Sequence, residues 1–187
     1  MKLKHEKDID WCYFKAKTDV EYEALFSHAS PAIKVAMELS YLCCARQGDI
    51  LMMRTSQLLE NGIFIAQSKT GTEQIKLWSP RLRAAIELAK SLPQPGVSST
   101  FVVCKEDGSK WSRDGFNGRW ASDRSKARKA TGLALDFTFH DLKAKGISDI
   151  KGTLAEKQAI SGHKNANQTA IYDRKIKQVY AVDSAKK

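Results

Sequence analysis

No stretch of this 187-residue sequence is apolar for the roughly 20 residues that a membrane-spanning helix requires. The N-terminal MKLKHEKDIDW carries positive charge but lacks the apolar segment of a secretory leader, so a cytoplasmic chain with no membrane partner is expected. Cysteine is sparse. Cys12, Cys43, Cys44 and Cys104 show no C-x-x-C spacing, and Cys43 and Cys44 lie in an apolar run, which suits reduced, buried thiols better than disulfides. The four histidines, His5, His28, His140 and His163, form neither H-E-x-x-H nor a Cys/His zinc pattern, so neither a metal nor another cofactor is expected. Internal repeats and low-complexity tracts are lacking, and the length fits one domain with a real core. Acidic residues are also in deficit: 21 Asp and Glu against 31 Lys and Arg leave a formal net charge of +10. That excess favours a polyanionic partner, with nucleic acid ahead of a membrane surface, although a merely soluble basic protein could carry it too.

What is present reads mainly as helices. Residues up to about Lys17 are charged and weakly periodic, as in a linker or arm. Thr18 and Glu21 form a capping box that opens a helix with Val20, Ala24 and Leu25 on one face. Ser30-Pro31 starts a second helix, apolar on most sides from Ile33 to Ala45 and therefore the expected centre of the core. Ile63–Gln67 and Gln74–Trp78 read as two strands joined by the Ser68–Glu73 hairpin, with Ile75 and Leu77 on one face and a third partner near Leu58. Ser79-Pro80 opens a helix carrying Leu82, Ala85, Ile86 and Ala89. Pro93–Ser99 is a loop, and Phe101–Cys104 a short buried extended piece. Ser112 caps a long basic helix ended by Gly132, with Phe116 and Trp120 inward. Thr138 caps the next helix, and Thr153 with Glu156 boxes another that Gly162 closes. A last short helix starting near Asn167 carries Tyr172.

The C-terminal third holds side chains that packing does not explain. His140 and Lys143 are three apart in a first helical turn and so share a face. His163 follows a helix-stopping glycine, and Tyr172 lies nine positions further on. Two imidazoles, an amine and a phenol form a set suited to a phosphate diester. H-x-L-K, then G-H, then a tyrosine resembles the tyrosine recombinases, the phage-integrase type of site-specific DNA recombinase. The resemblance extends over about Thr18 to Lys175 and implies a mainly helical α+β fold with a small antiparallel sheet at one edge.

The same resemblance extends to two upstream residues. Arg46 by itself reads as a cation at a helix end, but that family places a catalytic arginine there in a G-x-R-x-x-E setting. Here Cys44 replaces the glycine and Asp49 the glutamate. Lys69 by itself reads as a solvated hairpin charge, yet Lys69-Thr70-Gly71 matches the family's catalytic lysine hairpin. The implied reaction is transesterification of DNA through a 3′-phosphotyrosyl bond, without energy cofactor or metal. Tyr172 is the nucleophile, His140 the proton acceptor and His163 a donor to a non-bridging oxygen. Arg46 is the phosphate clamp and Lys69 the general acid. Lys143 stands where the family usually has arginine, which leaves a working variant, a weakened enzyme or a DNA binder that does not cleave. The first is preferred because the other five positions are present.

On the basic helix, Arg113, Arg119, Arg124 and Arg128 are candidates for backbone phosphates, although such helices are commonly just solvated. The expected organisation is a linker remnant at 1–17, a catalytic domain at 18–175 and a tail at 176–187 that packs on a neighbouring subunit, with Ile176, Val179, Tyr180 and Val182 weakly amphipathic. The family also implies double-stranded DNA as partner, a tetramer on DNA formed from solution monomers, DNA-bending and excision accessory proteins, and a phage or mobile-element origin in a bacterial host. A catalytic domain without its DNA-clamping N-terminal domain is expected to bind weakly and salt-sensitively. Two rivals stay open: a type IB topoisomerase that relaxes supercoils, and a non-catalytic DNA-binding regulator.

Overall fold

The computed structural model describes residues 18–173. The linker assigned to 1–17, Arg174, Lys175, the tail at 176–187 and Cys12 lie outside the described residues. In order, the described chain forms α1 (Asp19–His28), α2 (Pro31–Cys43), α3 (Gln47–Leu51), a 3-10 turn (Thr55–Gln57), β1 (Gly62–Ala66), β2 (Glu73–Leu77), α4 (Pro80–Lys90), α5 (Arg113–Thr131), α6 (Phe139–Asp149), α7 (Leu154–Ser161) and α8 (Ala166–Tyr172). The helix starts follow their caps. Thr18, Ser79, Ser112 and Thr153 each accept a backbone N–H, with reciprocal boxes at Thr18–Glu21, Thr138–Asp141 and Thr153–Glu156.

The centre is α2, with Ile33, Val35, Ala36, Met37 and Leu39 fully buried because apolar residues occupy most of its faces. It packs against α4 and α6, while α1 packs on α5. α2 and α6 approach closely at Gly146, where a methyl group would overlap the Tyr41 carbonyl oxygen. Gly146→Ala is therefore expected to destabilise the fold by roughly 1–3 kcal/mol, readable as a lower urea midpoint with unchanged slope.

β1 and β2 pair antiparallel from Gly62↔Leu77 to Ala66↔Glu73, and a single bridge joins Leu58 to Ile63 as the expected third partner. One expectation needs correction. The burial stripe of α1 is Tyr22 and Leu25, whereas Val20 is 66% exposed. The reason is that the Tyr22 hydroxyl donates to the buried Glu38 carboxylate, which turns that stripe inward. Ile75 and Leu77 share a face of β2 as the alternation suggests, and that face is the outer one, with Leu77 70% exposed. Cys43, Cys44 and Cys104 are free and buried.

Candidate active site

The site gathers around Tyr172, the last residue of α8. Its hydroxyl lies 2.7 Å from His140 Nε2, and its ring meets the imidazoles of His140 and His163 at centroid distances of 5.5 and 5.0 Å. Each partner is held locally. Phe139, the residue before His140, is locked edge-on between Phe116 at 5.1 Å and Trp120 at 5.3 Å, so the first turn of α6 has one orientation. The Tyr172 carbonyl accepts from Ser148 Oγ at 2.7 Å, and next to it Asp173 forms a nearly buried ion pair with Lys157 at 2.7 Å. The phenol thus rests against the imidazoles of its own chain.

His163 sits in the turn after Gly162, whose φ of +69° ends α7. The sequence placed it outside a buried stripe, and it is in a turn, but its side chain is only 5% exposed. Burial first, then the charges of Lys143 and Arg46, push its pKa down to about 4, so it is neutral at physiological pH. Its Nδ1 lies 3.2 Å from the buried Thr169 hydroxyl. If that hydroxyl donates to Nδ1, the proton stays on Nε2, which can then donate to an oxyanion.

Arg46 caps α3 in an extended conformation, after Cys44 has turned the chain out of α2 at φ +52°. Its Nη1 donates to Gln67 Oε1 at 2.7 Å. Lys143 shares the α6 side of His140 but not its access: His140 is exposed and Lys143 is fully buried. Its Nζ has no hydrogen-bond partner among the described residues, and burial, then the Arg46 charge, lowers its pKa to about 8. Asp49 accepts from the Ser68 amide at 3.1 Å and its hydroxyl at 2.7 Å, fastening α3 to the hairpin, while its Oδ2 has no hydrogen-bond partner among the described residues.

Lys69 is exposed in the hairpin turn and makes no hydrogen bond or ion pair among the described residues, so the structure does not bring it into contact with Tyr172. Of the basic-helix candidates, Arg113 and Arg119 are exposed. Arg124 donates to the Phe137 carbonyl, and Arg128 to the Ala134 carbonyl and Asp136. These last two guanidiniums brace the segment leading into α6.

Sequence reasoning passed over Gln67, Thr169, Ser148 and the Lys157–Asp173 pair. Only Gln67 carried a signal. The period of β1 puts it on the same inward face as Ile63 and Ile65, where a polar side chain calls for a partner.

Residues 17–178 match the phage integrase family. The chain is 30% identical over 165 residues to the integrase of Escherichia phage HK022, covering 81% of this chain and 44% of that protein. It thus spans somewhat less than half the length of this relative. Two solved structures have a similar fold. The lambda integrase catalytic core superposes with a TM-score of 0.62 at 21% identity, covering 78% of this chain and 90% of that one. A lambda integrase dimer bound to a COC′ core site gives 0.67 at 21% identity, covering 86% and 61%. The fold, mainly helical with a two-stranded antiparallel sheet, is that of a tyrosine recombinase catalytic domain.

Proposed function

The chain belongs to the phage integrase family, and from that premise we propose that it is the catalytic domain of a site-specific recombinase that cuts and rejoins double-stranded DNA through a 3′-phosphotyrosyl bond. The observation that carries this reading is the Tyr172 hydroxyl at 2.7 Å from His140, its ring against His163, which feels the charge of a buried Lys143 with no hydrogen-bond partner among the described residues. An unpaired buried cation is costly, and a non-bridging phosphate oxygen would complete it.

In the reaction, Tyr172 Oη attacks phosphorus and its proton passes to His140. The bond from phosphorus to the 5′ oxygen breaks, and Lys69 protonates that leaving oxygen. A free phenol, with a pKa near 10, is a poor nucleophile at neutral pH, so positioned proton removal is worth about 10²–10⁴-fold. Charge growing on the non-bridging oxygens meets Arg46, Lys143 and the neutral His163 N–H. Fixed donors of that kind commonly contribute more to rate enhancement than any other single effect. The reverse attack by a 5′-hydroxyl from another strand reseals the backbone, and since the phosphotyrosyl ester keeps the bond energy, no energy cofactor is needed.

Each chain supplies one nucleophilic tyrosine and exchange between two duplexes needs four strand cuts, so four copies act together on DNA. The anchoring of Tyr172 by Ser148 and by the Lys157–Asp173 pair supports attack within the same chain. Exposed Arg113 and Arg119 would add contacts to backbone phosphates. The setting is the cytoplasm of a bacterial host, with DNA-bending and excision proteins as accessory partners.

The test is incubation with a pool of nicked duplexes of randomised core, in EDTA, followed by denaturing capture of covalent protein–DNA species. The expected result is an adduct whose linkage peptide contains Tyr172. Binding without any adduct would overturn the proposal in favour of a DNA-binding regulator. An adduct with relaxation of supercoils but no joining of two sites would redirect it to a topoisomerase.

A further inference from the structure

The last turn of α7 ends in three successive carbonyls, and each is met by a side chain from the β1–β2 hairpin. Gln74 Nε2 donates to Ala159 O at 2.5 Å, Lys76 Nζ donates to Ile160 O, and Gln67 Nε2 donates to Ser161 O at 2.8 Å. Helix C-terminal carbonyls lack partners within the helix and favour nearby positive charge, so the hairpin acts as a cap made of distant residues. Gln67 differs from the other two. Its Oε1 also accepts from Arg46 Nη1 at 2.7 Å, and it is only 2% exposed. An amide carries both donor and acceptor, which neither a carboxylate nor an amine can do here. The backbone of Gln67 also closes the turn that bears Lys69: its carbonyl accepts from Thr70 N at 3.2 Å and Gly71 N at 2.8 Å, and its N–H donates to Thr72 O at 2.8 Å. A methyl group on Gly162 would overlap Gln67 Nε2, so the amide packs directly against the residue before His163.

We propose that Gln67 is a positioning residue for strand cleavage, joining the Arg46 guanidinium, the turn that holds His163 and the hairpin that carries Lys69 into one rigid unit. The inference rests on the active-site reading above. Without Gln67, Arg46 loses the acceptor that aims it and the His163 turn loses one of its three ties, while no group that touches the phosphate is removed.

Two variants test it in the nicked-duplex assay. Gln67→Met keeps the volume and loses the side-chain hydrogen bonds with Arg46, Ser161 and Thr70. Gln67→Glu keeps the acceptor for Arg46 and loses the donor to Ser161. Adduct formation is expected to slow by roughly tenfold to a hundredfold in the methionine variant, in line with losses seen when a supporting partner of a functional ligand is removed, and by less in the glutamate variant. DNA affinity should change only a few-fold. The readout that mere destabilisation would not move is substrate chemistry. A methylphosphonate, which removes the charge Arg46 meets, should shrink the Gln67→Met defect, as it should that of Arg46→Ala. A 5′-bridging phosphorothiolate, whose leaving group needs no acid, should leave the defect intact, because the backbone bonds that close the Lys69 turn survive a change of the Gln67 side chain. Cleavage at the wild-type rate in Gln67→Met, or an equal defect on all three substrates, overturns the inference. If wild-type protein forms no adduct, the active-site reading itself falls and takes this one with it.

Discussion

Tyr172→Phe is expected to abolish the covalent protein–DNA adduct while leaving duplex binding and thermal stability nearly unchanged. The substitution removes one oxygen. The ring keeps its contacts with His140 and His163, and α8 keeps the Ser148 bond to the Tyr172 carbonyl together with the Lys157–Asp173 pair, since neither involves the phenol. What is lost structurally is a single hydrogen bond to exposed His140, about 0.5–1.5 kcal/mol at most. Chemically the loss is total, because covalent catalysis without its nucleophile has no intermediate to form. The nearby hydroxyls do not substitute: Ser148 Oγ donates to a carbonyl and Thr169 is buried against His163. Denaturing electrophoresis for the adduct and fluorescence anisotropy for binding separate the two effects. Adduct persisting in the phenylalanine protein would remove Tyr172 from the reaction.

The second large effect concerns Lys143, where stability and activity are expected to move in opposite directions. Burial lowers its pKa from the ordinary lysine value of 10.5 to about 8. At pH 7 the group is still charged in the folded state, so folding carries the cost of a buried ammonium that finds no hydrogen-bond partner among the described residues. A gap of about 2.5 pH units corresponds to roughly 3 kcal/mol. Lys143→Met should remove that cost and raise the melting temperature by roughly 5–10 °C for a chain of this size. The sign reverses the usual stabilising case. Between about pH 8 and 10.5 the unfolded chain binds a proton that the folded chain does not, so wild-type stability rises through that window and the advantage of the methionine variant fades.

Cleavage by the same variant should fall by about 10²–10³-fold, the usual loss for one fixed donor at a developing oxyanion. In wild-type protein, kcat/KM should decline as pH rises through about 8, where free Lys143 gives up its proton. Lys143→Arg should retain or raise cleavage and lose that alkaline limb, because guanidinium does not titrate in this range. A methionine variant that cleaves normally would place Lys143 outside the reaction. An arginine variant that cleaves less than wild type would show that lysine has a role here that arginine cannot fill.

Much of the molecule is legible in the chain itself. Thr18, Ser79, Ser112 and Thr153 mark helix starts, Gly132 and Gly162 mark ends, and the period of α2 marks the centre of the core. These signals are local. A cap, a stop or a stripe involves residues within a turn or two of each other, so the chain displays it directly. The strands lie one residue earlier than the alternation suggests, at Gly62–Ala66 and Glu73–Leu77, because pairing register rather than composition sets their ends. The order and spacing of Arg46, Lys69, His140, Lys143, His163 and Tyr172 are likewise visible as residue types.

What each of those residues experiences was decided only by the tertiary structure. Lys143 and His140 look equivalent at a spacing of three, yet packing of α6 on α2 buries the first completely and leaves the second exposed. Arg124 and Arg128 read in the sequence as candidates for backbone phosphates, and only the fold shows that the Phe137 and Ala134 carbonyls also lie within their reach. Gln67 meets Ser161 across 94 positions of sequence, and that contact exists only once the hairpin and α7 have docked. Propensity, caps and charge are properties of neighbours along the chain and survive in the sequence. Burial, desolvation and the choice of hydrogen-bond partner depend on neighbours in space, and those arise when separate elements close over the same core.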